Sequence, residues 1–183
     1  MKKILFFVTF IILVLSVGFI SKPVVVVNET KEIKWVSIEE AEVLAKQDGK
    51  KILVDVYTDW CGWCKKMDKA TYKHAEVIDY VNTNFHAVKF NAEQREDVTV
   101  KGNTFKYIAQ GRRGYHELAA SMLQGKLGYP ATVFLDNEFN MLTHISGYRG
   151  PDEMMAFLSY FKDELYAKEV SLQTYIDSYK KSR

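Results

Sequence analysis

The sequence predicts a single α/β domain in which a central mixed sheet is flanked by helices, and three observations carry that prediction. The stretch "KILVDVYT" is near-continuously apolar, as a strand covered on both faces must be. A helical stretch and a second inner strand, "FHAVKFNA", follow it and complete a βαβ unit with parallel pairing. Further on, "ATVFLD", the turn "NEFN" and "MLTHISG" make a β-hairpin, which leads into a helix opening at Pro151. The 183 residues, 48% of them hydrophobic, suffice for one such core and are too few for two.

Ahead of the domain, residues 1–22 pair the basic start Lys2 and Lys3 with an apolar run over residues 4–20, interrupted only by Thr9, Ser16 and Gly18. This is the pattern of a signal peptide or an N-terminal membrane anchor, and it implies an extracytoplasmic, periplasmic location. Ser16 and Gly18 offer small residues for cleavage, but no Ala-x-Ala pattern is present, so cleavage and retention as an anchor through residues 4–20 both stay open. Without the first 21 residues the chain holds 23 basic against 23 acidic residues. That balance argues against nucleic acid as a partner, because such binders carry a basic excess.

The domain is expected over residues 31–183. A short strand at residues 33–36 precedes a helix capped by Ser37, with Glu40 three residues on as in a capping box, and "DGK" ends it. After the strand "KILVDVYT" a helix is expected from about residue 62 towards residue 82. An insert over about residues 94–114 contains Val98, Val100, Phe105 and Tyr107 alternating around "KGN", which predicts a two-stranded excursion, and "YHELAASML" then reads as a helix. Its basic residues Lys101, Lys106, Arg112 and Arg113 read as a solvated loop or a docking surface for a partner. Beyond the Pro151 helix, a further helix is expected at about residues 170–181, with Leu172, Tyr175, Ile176 and Tyr179 packing back onto the domain.

Chemistry concentrates in "VDVYTDWCGWCKKMD", which holds both cysteines of the chain. A structural zinc site needs four ligands, and no second cysteine pair exists to supply them; His74, His86, His116 and His144 are scattered without ligand spacing, so no metal is expected. Covalent haem attachment requires histidine after the second cysteine, where Lys65 stands. A purely structural disulfide over so short a loop removes little entropy from the unfolded chain and is a weak staple. Between the end of a buried strand and the start of a helix, the pair instead has the setting of reactive thiols, where unpaired N–H groups favour a thiolate at Cys61.

The segment "ILVDVYTDWCGWCKKM" resembles the active-site strand and helix of the thioredoxin family, matching its Trp-Cys-Gly-Pro-Cys motif at Trp60, Cys61, Gly62 and Cys64 and departing at Trp63. The order βαβ, helix, ββα is that of a thioredoxin fold, and "GYPATVFLD" extends the likeness over about residues 33–165. The relatives it points to are exported thioredoxin-like proteins with a Cys-Gly-Trp-Cys centre. The resemblance implies a redox-active disulfide of Cys61 and Cys64, in which Cys61 attacks and Cys64 resolves. It also implies that Asp55, a carboxylate inside an apolar strand, relays a proton to Cys64, with Lys89 as its partner. The plain alternative for Asp55 is a surface carboxylate on a half-exposed strand, against which the apolar run on both sides argues, and for Lys89 it is a solvated strand end.

By the same resemblance the Tyr129–Pro130 bond is cis and its loop faces the cysteines, with Tyr129 presenting its backbone to an extended substrate. A trans proline entering an edge strand is the plain reading of that position. Trp60, Trp63 and Tyr57 read either as packing or as an apolar landing surface around the thiol.

The reading is an exported thiol-disulfide oxidoreductase, reducing protein disulfides through a mixed disulfide at Cys61. Its partners are protein disulfides or dithiols and a membrane or envelope redox protein, and no cofactor is required beyond the cysteines. The oxidase and isomerase directions of the same chemistry remain as alternatives, as does a redox-inert binding module on the same fold.

Overall fold

A computed structural model of the chain describes residues 32–182. The N-terminal segment 1–22 lies outside the described residues.

The first half follows the βαβ logic. Strand β1 (Trp35–Val36) leads into helix α1 (Ile38–Asp48), whose N-cap Ser37 accepts the Glu40 N–H at 3.1 Å. Gly49 ends α1 with φ 76°, a left-handed conformation that glycine takes without steric cost. Strand β2 (Lys51–Tyr57) follows, then α2 (Gly62–Ala70), α3 (Ala75–Asn84) and strand β3 (Phe85–Asn91). The expected strand at residues 33–36 is shorter than its apolar pattern, because Ile33 turns into the core and leaves only Trp35 and Val36 to pair with β3.

The single helix expected over residues 62–82 is two helices. The chain breaks after Ala70: Thr71 donates its hydroxyl to the Arg149 carbonyl at 2.6 Å, and Tyr72 is buried with its ring edge-on to Trp35. Met67, Thr71, Ile78 and Val81 are all buried at spacings that also suit one continuous helix, so the periodicity passes through the break without registering it.

The insert holds two hairpins rather than one. Strands β4 (Val98–Val100) and β5 (Asn103–Phe105) form the first around "KGN", and β6 (Tyr107–Gln110) and β7 (Arg113–His116) form the second. Tyr107 therefore opens the second hairpin instead of closing the first. The β6–β7 turn is two residues long, and Gly111 at its first position has φ 58°. At Gly114 a Cβ would overlap the Tyr107 ring and the Ile108 carbonyl, so only glycine lets the strands close there. Helix α4 (Glu117–Met122) starts two residues later than "YHELAASML" predicts, because Tyr115 and His116 complete β7.

Strands β8 (Ala131–Leu135) and β9 (Met141–Ser146) then make the hairpin that precedes α5 (Pro151–Lys162). A 3-10 turn (Leu165–Lys168) leads to α6 (Leu172–Lys181). The main sheet has the order β1-β3-β2-β8-β9, with β1, β3 and β2 parallel and β8 and β9 antiparallel. This is a thioredoxin fold with a mixed central sheet. Strand β2 lies at its centre, which is why residues 52–56 are all buried.

Alternation along the strands sorts the two cores. Ile52, Val54, Val56, Val88 and Phe90 pack with α1, α4 and β4 on one face. Leu53, Ala87 and Phe134 pack with α2, α3, α5 and Ile176 of α6 on the other. Each fully buried Leu, Phe or Val contributes about 1.5–3 kcal/mol, so these layers, rather than the short hairpins, hold the fold. Asp55 and Lys89 share the parity of Leu53 and Ala87 and thus face the α2 side.

Candidate active site

The site grows from the junction of β2 and α2. After Tyr57 the chain turns, with the Cys61 N–H donating to the Thr58 carbonyl at 3.1 Å, and Cys61 becomes the N-cap of α2. A cap position asks for a side chain that accepts a backbone N–H, and Cys61 Sγ accepts that of Cys64 at 3.1 Å. The two residues form a disulfide with Cα atoms 5.3 Å apart. Both are nearly covered, Cys61 at 5% exposure and Cys64 at 2%. No acidic residue stands in the first turn of α2, so no carboxylate of that turn competes for the positive end of the helix.

Beneath α2 lies a partly buried polar cluster. Lys89 Nζ donates to Asp55 Oδ2 at 3.0 Å and also to Asp68 Oδ1, so one ammonium serves two carboxylates. Asp68 lies four residues after Cys64, on the same face of α2. Burial drives the Asp55 carboxyl up to about 6, against the pull of Lys89 and with a further push from the Asp68 charge. Burial also draws the Lys89 ammonium down, but Asp55 and Asp68 more than offset it and hold it above the ordinary lysine value. Asp55 Oδ1 is buried with no hydrogen-bond partner among the described residues. Tyr72, buried beside the group with its hydroxyl 3.5 Å from that of Thr132, is raised well above a normal phenol by burial and by Asp55.

An aromatic rim surrounds the cysteines. Trp60 and Trp63 are exposed, at 51% and 57%. Trp60 donates its indole N–H to Glu93 at 3.0 Å and meets the Tyr129 ring edge-on, centroids 6.1 Å apart. The Tyr129–Pro130 bond is cis. Trp63 packs against Tyr148, and Lys66 Nζ sits 4.7 Å above the Trp63 ring. Across the site, the Arg113 guanidinium of β7 lies 4.5 Å above Trp60.

The residues singled out from the sequence thus fall into one neighbourhood: Cys61 and Cys64 at the helix start, Asp55 and Lys89 below it, Trp60, Trp63 and Tyr129–Pro130 around it. Tyr57 sits at the end of β2 with Lys89 Nζ 4.9 Å above its ring. Sequence reasoning missed Asp68, Tyr72, Glu93 and Tyr148. Only Asp68 had a local signal, its four-residue spacing from Cys64; the others arrive from distant segments.

A family model named Thioredox_DsbH, described as a protein of unknown function, DUF255, matches residues 20–166. The chain belongs to this family. It is 29% identical over 147 residues to "Disulfide bond reductase DsbH" of Chlamydia pneumoniae, covering 79% of this chain and 78% of that protein. It is also 27% identical over 122 residues to an uncharacterized protein of Caenorhabditis elegans, of whose length it spans only 15%. Among solved structures, a DsbH oxidoreductase shares the fold at TM-score 0.52 and 22% identity, over 80% of this chain and 90% of that one. A thioredoxin-fold protein from Helicobacter pylori does so at TM-score 0.57 and 18% identity, over 74% and 88%. The chain is a thioredoxin-like protein with the Cys-X-X-Cys disulfide of a thiol-disulfide oxidoreductase.

Proposed function

We propose that this protein reduces protein disulfides outside the cytoplasm, with Cys61 as the attacking thiolate and Cys64 as the resolving thiol. The observation that carries the reading is the place of Cys61 Sγ at the N-cap of α2, where it accepts the Cys64 N–H at 3.1 Å. The same N–H and the positive helix end stabilise a thiolate once the disulfide is opened. In the first step Cys61 forms a bond to one sulfur of the partner disulfide, and the other sulfur leaves and takes up a proton.

Cys64 then gives its proton to Asp55 and attacks Cys61 Sγ, closing the Cys61–Cys64 bond and releasing the partner's second thiol. Two electrons have passed from the protein to its partner. A dithiol donor, which we assign to a membrane or envelope redox protein, returns them, and Asp55 then hands its proton back to the departing Cys64. Lys89 and Asp68 position Asp55 and set its charge state. The reductase direction is supported by the name of the Chlamydia pneumoniae relative, a disulfide bond reductase, and export by the basic and apolar pattern of residues 1–22.

Reduction of insulin by dithiothreitol tests the activity. The wild-type protein accelerates the appearance of free B-chain. A rate no faster than dithiothreitol alone contradicts the proposal and favours a redox-inert binding module.

A further inference from the structure

The charges on α2 are distributed in a way that neither stability nor the thiol chemistry requires. Lys65, Lys66, Lys69 and the following Lys73 are exposed, and none of the four has an ion-pair partner among the described residues. The one acid of the helix, Asp68, is turned inward to Lys89. Elsewhere Lys46 pairs with Glu42, Lys51 with Glu164, Lys106 with Asp97 and Lys180 with Glu153, while Lys34, Lys101, Lys126, Lys168 and Lys181 stand without an ion pair among the described residues but scattered over the surface rather than along one helix. Lys65 and Lys66, in the first half of α2 with no acid in its first turn, run against the macrodipole and weaken the helix, whereas Lys69 in its last turn complements it. A local rule broken beside a reactive site marks a functional demand.

Geometry adds a second observation. Lys66 lies over both Trp63 and Tyr148, at 4.7 and 5.1 Å, while Arg113 lies over Trp60 at 4.5 Å. Cations are therefore held on aromatic rings on both sides of the disulfide. Beside Lys66 the exposed face of α2 forms a shallow, open depression lined by Gly62, Lys65, Lys66, Lys69 and Ala70. The rim carboxylates are engaged: Glu93 accepts from Trp60 and Asp59 from Asn91. Glu39, Glu40 and Glu42 stand on α1, which packs against the opposite face of the sheet. The positive charge beside the disulfide is thus concentrated on α2, with Asp59 and Glu93 as the acids on the Trp60 side of the rim.

We propose that the exposed face of α2, with Lys65, Lys66 and Lys69, together with Arg113 over Trp60, is a docking surface for an acidic protein segment, so that the preferred partner carries Asp or Glu next to its reactive cysteine. The inference rests on the thiol-exchange reading of Cys61. Complementary charge raises the rate of encounter and fixes the direction in which an extended segment crosses the cysteines. Salt weakens it, because the lysines are exposed.

The test uses the reduced full-length chain and three disulfide-linked peptides that differ only in flanking residues, acidic, neutral or basic, with uncharged hydroxyethyl disulfide alongside. At low ionic strength the acidic peptide reacts about tenfold or more faster than the basic one, and the ratio falls towards one at high salt. Lys66→Glu combined with Lys69→Glu and Arg113→Glu inverts the order of the peptides. Reaction with hydroxyethyl disulfide but equal rates for all three peptides overturns the docking inference and leaves the redox reading standing. No reaction with any of the four disulfides overturns the redox reading and the inference with it.

Discussion

Replacing Cys61 by serine abolishes insulin reduction, with a loss of about a thousandfold or more, because a hydroxyl at the N-cap neither ionises near neutral pH nor forms the covalent intermediate. Cys64→Ser also stops turnover, but at a different point. Its Cys61 still attacks, and the mixed disulfide then has no thiol to resolve it. Partner proteins therefore accumulate on the Cys64→Ser variant as bands that dithiothreitol removes on non-reducing gels, and none accumulate on Cys61→Ser. Serine at either position keeps the fold, since the cap role of Cys61 passes to Oγ. Adducts that form on Cys64 in the Cys61→Ser variant instead would reverse the two roles.

Asp55→Asn slows resolution of the mixed disulfide by about a hundredfold at neutral pH, the low end of what a positioned general base supplies. The pH profile separates this from a structural defect. In the wild type, resolution rises through an inflection near the Asp55 value of about 6 as the carboxylate forms, and in Asp55→Asn that inflection is gone. Stability moves the other way. The folded-state value lies above the ordinary aspartate value of 3.8, so the folded protein binds this proton more tightly than the unfolded chain. The resulting stabilisation is present below pH 4 and is lost as pH rises through about 6, a change on the order of 2–3 kcal/mol. An amide does not ionise, so thermal unfolding of Asp55→Asn shows a flatter slope over that window. A variant with an unchanged rate profile removes Asp55 from the proton path.

What could be read from the chain follows the range of the signals. Strands β2 and β8 are inner strands, and burial on both faces writes them as apolar runs without reference to anything distant. The N-cap of α1 and the Pro151 start of α5 are likewise local. The break between α2 and α3 was hidden because Thr71 and Tyr72 interrupt the helix through contacts with Arg149 and Trp35, which lie far away in sequence. The β6–β7 hairpin was hidden because its strands are short and mostly exposed, leaving no alternation to see. At the site, Cys61, Cys64 and the oddly placed Asp55 stood out from their immediate neighbours. The second carboxylate on Lys89 and the Arg113 contact to Trp60 depend on how the sheet and the insert come together.

The direction of electron flow is tested most directly by the redox form of the wild-type protein in its own host, expressed with residues 1–22 in place. Acid quenching followed by maleimide labelling separates the dithiol from the disulfide by mass. A reductase fed by a dithiol donor is predicted to stand mainly as the dithiol form, with both Cys61 and Cys64 labelled. A protein found mainly as the unlabelled Cys61–Cys64 disulfide would contradict the reductase reading and make it an oxidase.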